Sequence, residues 1–301
     1  MAKLTIPAEE LMNSGHIGCL GCGGTLAMRY LLKALGKRTI VTIPACCWAI
    51  MSGVYPRNVL KVPLLDVAFE TTGASASGIR AALDAKGIDD VYVVGFAGDG
   101  GTADIGIQAL SGAAERGDDI IYVMYDNEAY MNTGIQRSGA TPFGAWTTTT
   151  PVGATGDFKK RPKKNMVEIM VAHEIPYAAT ANVAYPEDFV KKVQKAKDMP
   201  ETKFFHVFSP CPTGWRFSPE MTIRIGVLAH QTGIFPLYEV ENGVYKMTKK
   251  PAKRKPVGEY LRLQGRFRHL TDDLIETIQK NVDRNWETLL AKEEFTQRLG
   301  E

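Results

Sequence analysis

No run of apolar residues in this sequence reaches the roughly 20 that a membrane-spanning helix needs. The opening stretch, MAKLTIPAEELMNSGH, lacks an apolar segment after its basic start, so no secretory signal is expected. Charge of one sign is scarce as well. The 36 Lys and Arg nearly balance the 33 Asp and Glu, leaving a net charge of +3. That balance gives no global pull towards nucleic acid. Internal repeats and low-complexity segments are absent. Cysteine is sparse: five residues, an odd number with one adjacent pair, which suits a disulfide framework poorly. The C-x2-C-x2-C-x3-C-P run of ferredoxin domains is missing too. A cytoplasmic protein is the expectation, with cysteines serving a metal or redox purpose.

The chain has 301 residues and is 45% hydrophobic, enough to bury a large core. Its first half alternates short β-rich runs with helical ones. Residues 23–35, 73–86 and 102–116 read as helices; 39–43, 91–97 and 120–125 read as buried strands. Further helices are expected at 164–173 and 186–198, and strands near 177–181 and 204–208. Continuous apolar strands separated by helices predict an α/β fold, a mostly parallel sheet with helices on both faces. From about residue 212 Pro, Gly and basic residues become frequent, as in KMTKKPAKRKP at 246–256. This reads as an irregular arm followed by a charged helix at about 271–298. The arm is too poor in periodic apolar residues to fold alone, so it wraps the domain or a partner. The expected division is a ligand-binding domain at 1–211 and a C-terminal arm and helix at 212–301.

The most informative stretch runs from residue 91 to 133: strand, Gly98-Asp99-Gly100-Gly101, helix, strand, then Asp126-Asn127-Glu128-Ala129-Tyr130. Loops at the carboxyl ends of adjacent parallel strands face one crevice. Asp99 and Asn127 can therefore meet one ion from two loops. Mg2+ takes near-octahedral oxygen ligands and keeps phosphates in its shell. Asp99 would give a carboxylate, Asn127 a side-chain carbonyl and Ala129 a backbone carbonyl. Gly98, Gly100 and Gly101 would let backbone approach a diphosphate, and the helix starting near Thr102 would point free N–H groups at it. The plain alternative is an ordinary Gly-Asp-Gly turn. Asn127 at the next strand end argues against it, and the span resembles the GDG…N signature of thiamine-diphosphate enzymes.

Cys19 and Cys22 form a C-x-x-C in GHIGCLGCGG, just before a helix. Cys46-Cys47 and Cys211 follow predicted strands, which puts them at the same edge as Asp99 and Asn127. Four thiolates there suit a [4Fe–4S] cluster or an all-cysteine zinc site. Otherwise Cys46, Cys47 and Cys211 are small buried hydrophobes. These alternatives stay open on chemistry alone. His16, His173, His206 and His230 are expected to be structural or exposed.

Taken together, GHIGCLGCGG, IPACCWAIMSG, GFAGDGGTADIG, YDNEAYMNTGIQRSGATPFGAWTTTTP and HVFSPCPTGW resemble the β subunits of the pyruvate:ferredoxin oxidoreductase (pyruvate synthase) family, over nearly the whole chain. The resemblance implies a thiamine-diphosphate-binding fold with Mg2+ on Asp99, Asn127 and Ala129. It also implies a [4Fe–4S] cluster on Cys19, Cys22, Cys47 and Cys211. Cys46 would take a position usually held by glycine. Asn132 would lie near the reacting carbon. The implied reaction is the reversible oxidative decarboxylation of pyruvate with coenzyme A to acetyl-CoA and CO2. The implied partners are an α-type subunit supplying an activating glutamate and substrate contacts, a γ subunit, a ferredoxin-like δ subunit, and ferredoxin. Residues 130–136 are closer to the pyruvate type than to the 2-oxoglutarate type. Other 2-oxoacids, such as 2-oxoisovalerate or oxalate, remain alternatives, as do a non-redox thiamine decarboxylase or synthase and a zinc-stapled scaffold without chemistry. One departure stands out: Gly23-Gly24 replaces the Gly-Glu that some relatives carry.

Overall fold

In the computed structural model, residues 5–54, 56–153 and 157–299 are described. The elements in chain order are α1 (Gly23–Leu35), β1 (Thr39–Pro44), α2 (Cys47–Met51), β2 (Leu64–Val67), α3 (Thr72–Ala85), β3 (Tyr92–Gly98), a π-turn (Gly101–Ile105), α4 (Ile107–Glu115), β4 (Ile121–Asp126), α5 (Met166–Val171), β5 (Tyr177–Asn182), α6 (Pro186–Ala196), β6 (Lys203–Phe208), α7 (Pro212–Trp215), α8 (Thr222–Thr232), β7 (Leu237–Glu241), β8 (Val244–Lys249), α9 (Gly258–Leu261) and α10 (Asp272–Leu299). They build one eight-stranded sheet of order β2-β1-β3-β4-β6-β5-β7-β8. Six strands, β2 to β5 along that order, run parallel, and β7 and β8 are antiparallel.

Alternation along the strands makes the two cores. Val94 and Phe96 on β3, Ile121, Val123 and Tyr125 on β4, and Phe205 and Val207 on β6 face α1 and α6. Tyr122, Met124 and Phe204 face α4, α5 and α10 on the other side. Each strand is buried on both faces, which explains its unbroken apolar reading. Burying a side chain of this size contributes roughly 1.5–3 kcal/mol, so these strands are firmly anchored.

The expected α/β architecture is present. The stretch after residue 212 is more ordered than its composition suggested. It contributes α8 and the β7–β8 hairpin, which extends the sheet of the preceding part, with α10 packed on β8. The basic run at 246–256 begins inside β8. Asn242 and Gly243, with φ of 47° and 79°, form the hairpin turn, and this Asn-Gly pair was the legible signal. A third apolar cluster, including Ile225, Phe235, Tyr260 and Val282, ties α8, α9 and α10 to Trp215 of α7.

Candidate functional site

From β1 the chain proceeds to β2 on one side and later to β3 on the other, so the sheet reverses its winding between β1 and β3. Ligand crevices form outside the strand ends at such a reversal. There the loops after β1, β3 and β4 enclose a cavity of about 180 Å³, lined by Cys46, Cys47, Gly98–Gly101, Asn127, Ala129 and residues 130–133. Asn132 stands exposed on its rim, in the turn closed by Gly134 N–H donating to Met131 O at 3.2 Å.

Asp99 is buried on the floor, where Ser138 Oγ donates to Oδ2. Burial, and then Asp126, push the Asp99 carboxyl well above the usual range. The Asn127 amide oxygen lies 2.9 Å from Asp99 Oδ1 and 2.9 Å from the Ala129 carbonyl oxygen. Turning the amide over would instead give two ordinary hydrogen bonds. An octahedron with Mg–O bonds of about 2.0–2.1 Å has edges of about 2.9 Å. The two spacings from Asn127 therefore match edges of an Mg2+ shell, and the three oxygens suit it in type. Helical turns start directly at Asp99 and pass through the π-turn before α4. A Cβ on Gly100 would lie 2.3 Å from the Tyr130 ring. Gly100 thus makes room for Tyr130 beside the strand end where the diphosphate is expected. The Tyr130 hydroxyl donates to Asp104 Oδ2 at 2.9 Å, and Gly139 N–H donates to the same oxygen at 2.8 Å.

The cysteines lie along the neighbouring rim. Gly23 N–H donates to Pro210 O at 3.0 Å, and Thr222 Oγ1 donates to Gly21 O at 2.6 Å. These bonds clip the Cys19–Cys22 loop to the segment bearing Cys211. Trp48 Nε1 donates to Gly24 O at 2.9 Å and so draws α2, with Cys47, against the start of α1. Burial pushes the Cys47 thiol up first, and Cys46, Cys211, Cys22 and Cys19 add to it as neighbours. Cys211 is pushed up to about 11, mostly by burial, against a Gly214 N–H that donates to Sγ at 3.3 Å, with Cys22 and Cys19 adding. The Cys46 thiol also rises through burial, and its side-chain hydrogen-bonding neighbour is the Tyr125 hydroxyl. Among the described residues, no three His, Cys, Asp or Glu side chains gather closely enough for a single metal ion. A four-iron cluster asks for a wider ring, because each thiolate binds a different iron. At Gly24 an added Cβ would make ordinary contacts with the Tyr125 ring at 3.4 Å and with Cys22 Sγ at 3.5 Å.

Reading the sequence missed the ionic cluster beneath the Asn127 loop. Asp126 and Glu128 are both buried, and Lys163 pairs with each of them, at 2.8 Å for Glu128. His206 Nε2 lies 2.6 Å from Asp126 Oδ2. Arg266 is 2.6 Å from Glu128 Oε2. Lys163 and Arg266 lie far from the motif in sequence, and only the alternation of acid and amide at 126–128 hinted at partners.

Residues 50–207 match the family model of the thiamine pyrophosphate enzyme C-terminal TPP binding domain. The ketoisovalerate oxidoreductase subunit VorB of Pyrococcus abyssi is 56% identical over 294 residues, 95% of this chain and 94% of that protein. The pyruvate synthase subunit PorB of Methanocaldococcus jannaschii is 56% identical over 290 residues, 94% and 97% of the two chains. A solved 2-oxoglutarate:ferredoxin oxidoreductase from Magnetococcus marinus shares the fold, with a TM-score of 0.57 at 21% identity over 69% of this chain and 70% of that one. The strand-end cavity, the Asp99–Asn127 pair and this likeness along almost the full chain agree: the protein belongs to the thiamine pyrophosphate enzymes, in the family of the 2-oxoacid oxidoreductase subunits VorB and PorB.

Proposed function

We propose that the chain is the thiamine diphosphate-binding β subunit of an oxidoreductase that converts pyruvate and coenzyme A to acetyl-CoA and CO2, passing two electrons on to ferredoxin. The observation that carries this reading is a shared wall. The Cys46-Cys47 loop lines the cavity with the three converging oxygens, while Cys47 neighbours Cys19, Cys22 and Cys211.

Asp99, Asn127 and the Ala129 carbonyl would hold Mg2+, and through it the diphosphate of the cofactor. Cys19, Cys22, Cys47 and Cys211 would hold a [4Fe–4S] cluster, which takes up electrons singly. Thiamine diphosphate, when bound, supplies the carbon nucleophile that releases CO2 from a 2-oxoacid. Asn132, exposed at the rim, can donate its amide to a substrate oxygen as charge develops there. Tyr130 and the buried floor keep water from that face of the cavity. No glutamate lines the cavity among the described residues, which supports a partner α-type subunit supplying the activating one. The relatives' designation as subunits supports a multi-chain assembly, with γ and ferredoxin-like δ chains carrying electrons onward.

A second reading has an observation of its own. The likeness to VorB equals that to PorB, so 2-oxoisovalerate is the competing substrate. Anaerobic purification with co-purifying chains tests both. A brown protein with a broad band near about 400 nm that bleaches with dithionite is expected. So is reduction of ferredoxin with pyruvate and coenzyme A at a higher kcat/KM than with 2-oxoisovalerate. A colourless, iron-free active protein would refute the cluster, and the reverse preference would replace pyruvate by the branched substrate.

A further inference from the structure

Glu128 sits between the two residues whose oxygens turn to Asp99, and its φ is 66°, a conformation that side-chain-bearing residues seldom adopt. That twist lets Asn127 and Ala129 face the same point. Four contacts hold it. Glu128 N–H donates to Asp126 Oδ1 at 2.9 Å, and Thr141 Oγ1 donates to Glu128 O at 2.7 Å. The Glu128 carboxylate is 3% exposed; Oε1 accepts from Lys163 Nζ at 2.8 Å, and Oε2 lies 2.6 Å from the Arg266 guanidinium as an ion pair outside hydrogen-bond geometry. Arg266 itself is 2% exposed.

Arg266 does a second thing. Its guanidinium stacks 3.8 Å over the Trp215 ring. Trp215 Nε1 donates to Asn127 O at 2.7 Å, and Trp215 N–H donates to Cys211 O at 2.9 Å. One cation from the C-terminal part of the chain thus touches the metal-ligand loop and the segment that begins at Cys211. Its Nε is in turn held by Gln264 Oε1 at 2.9 Å, so the group has little freedom to move.

We infer that Arg266 is a positioning residue: paired with Glu128 and stacked on Trp215, it holds Asn127 and Ala129 in the geometry that takes Mg2+. This inference rests on the Mg2+–thiamine diphosphate site proposed above. A flat guanidinium is needed, because an ammonium can pair with Glu128 but cannot stack on Trp215 in the same way.

The test titrates Mg2+ into the assembled protein with thiamine diphosphate and reads cofactor binding by calorimetry, with thermal stability measured in parallel. Arg266→Met and Glu128→Gln are expected to raise the Mg2+ concentration for half-saturation by about tenfold or more, the usual size of an outer-shell effect. Arg266→Lys is expected to fall between these variants and the unaltered protein. The control is Lys192→Met, which breaks a buried pair with Asp188 at 2.8 Å away from the cavity. It is expected to lower stability and leave the Mg2+ requirement unchanged. An unchanged requirement in Glu128→Gln and Arg266→Lys would overturn the inference, even if Arg266→Met does not fold. An equal shift in Lys192→Met would overturn it too, by assigning the effect to stability alone. Mg2+-independent cofactor binding by the unaltered protein would refute the metal site, and with it this role.

Discussion

Two adjacent cysteines divide the site between them. Cys46 and Cys47 leave β1 as neighbours, and consecutive side chains of an extended segment point to opposite sides. Cys46 is extended, with φ of −163°, and meets Tyr125; Cys47 opens α2 and neighbours Cys19, Cys22 and Cys211 as well as Cys46. Cys47→Ser and Cys211→Ser are therefore expected to lose iron or shift its potential, since a hard oxygen replaces a soft thiolate. Cys46→Ser should keep near-normal iron, and iron and sulfide analysis of the three variants decides the matter. Asp99→Ala should abolish Mg2+-dependent cofactor binding with the fold intact, because one of three converging oxygens is gone; unchanged affinity would remove the site. The pH dependence follows from the raised Asp99 carboxyl. It holds its proton above the ordinary carboxylate range, and Mg2+ must displace that proton. Mg2+ affinity should therefore climb as pH rises above the ordinary carboxylate range, with proton release visible when binding heats are compared in different buffers.

At the level of elements, the site is held by close backbone approaches. A Cβ on Gly23 would lie 2.6 Å from the Ser209 carbonyl carbon, a backbone atom that cannot swing aside. Gly23→Ala should push the start of α1 off the Cys211 segment, costing about 1–3 kcal/mol and lowering iron content; thermal melting and iron analysis would show both. β2, with Leu65 and Asp66 exposed, and the short α2 were not expected, whereas the other parallel strands were legible because each is buried on both faces. The β7–β8 hairpin was less so, since Val244 and Lys246 are exposed and basic residues crowd its second strand. Asp99, Asn127 and Ala129 could be placed together from strand-end logic alone. The partners of Glu128 could not, because Arg266 reaches it through tertiary packing that no local spacing encodes. The packing of Tyr130 against Gly100 was hidden for the same reason: Tyr130 arrives from another strand's loop.

Across the whole molecule, the catalytic parts are, in the function proposed here, shared between this chain and an α-type partner. The cavity lacks a glutamate among the described residues, and the sequence lacks a ferredoxin-type cysteine run. The isolated chain should be inactive with pyruvate, coenzyme A and ferredoxin, and an α-type partner should restore turnover; full activity alone would refute that division. Acid should weaken the fold through Asp126. Burial would raise this carboxyl, but Lys163 and His206 hold it below the usual range. A depressed carboxyl stabilises above the unfolded value of about 3.9 and loses that contribution as pH falls through the folded one. Denaturation midpoints of Asp126→Asn should therefore respond less to acid than those of the unaltered protein. The clip between the Cys19–Cys22 loop and residues 210–222 has a consequence for biosynthesis. The first two thiols emerge from the ribosome long before the segment that completes their ring. For the cluster proposed here, an early nascent chain would present only half of the ligands, and iron and sulfide would have to wait until most of the sheet has folded.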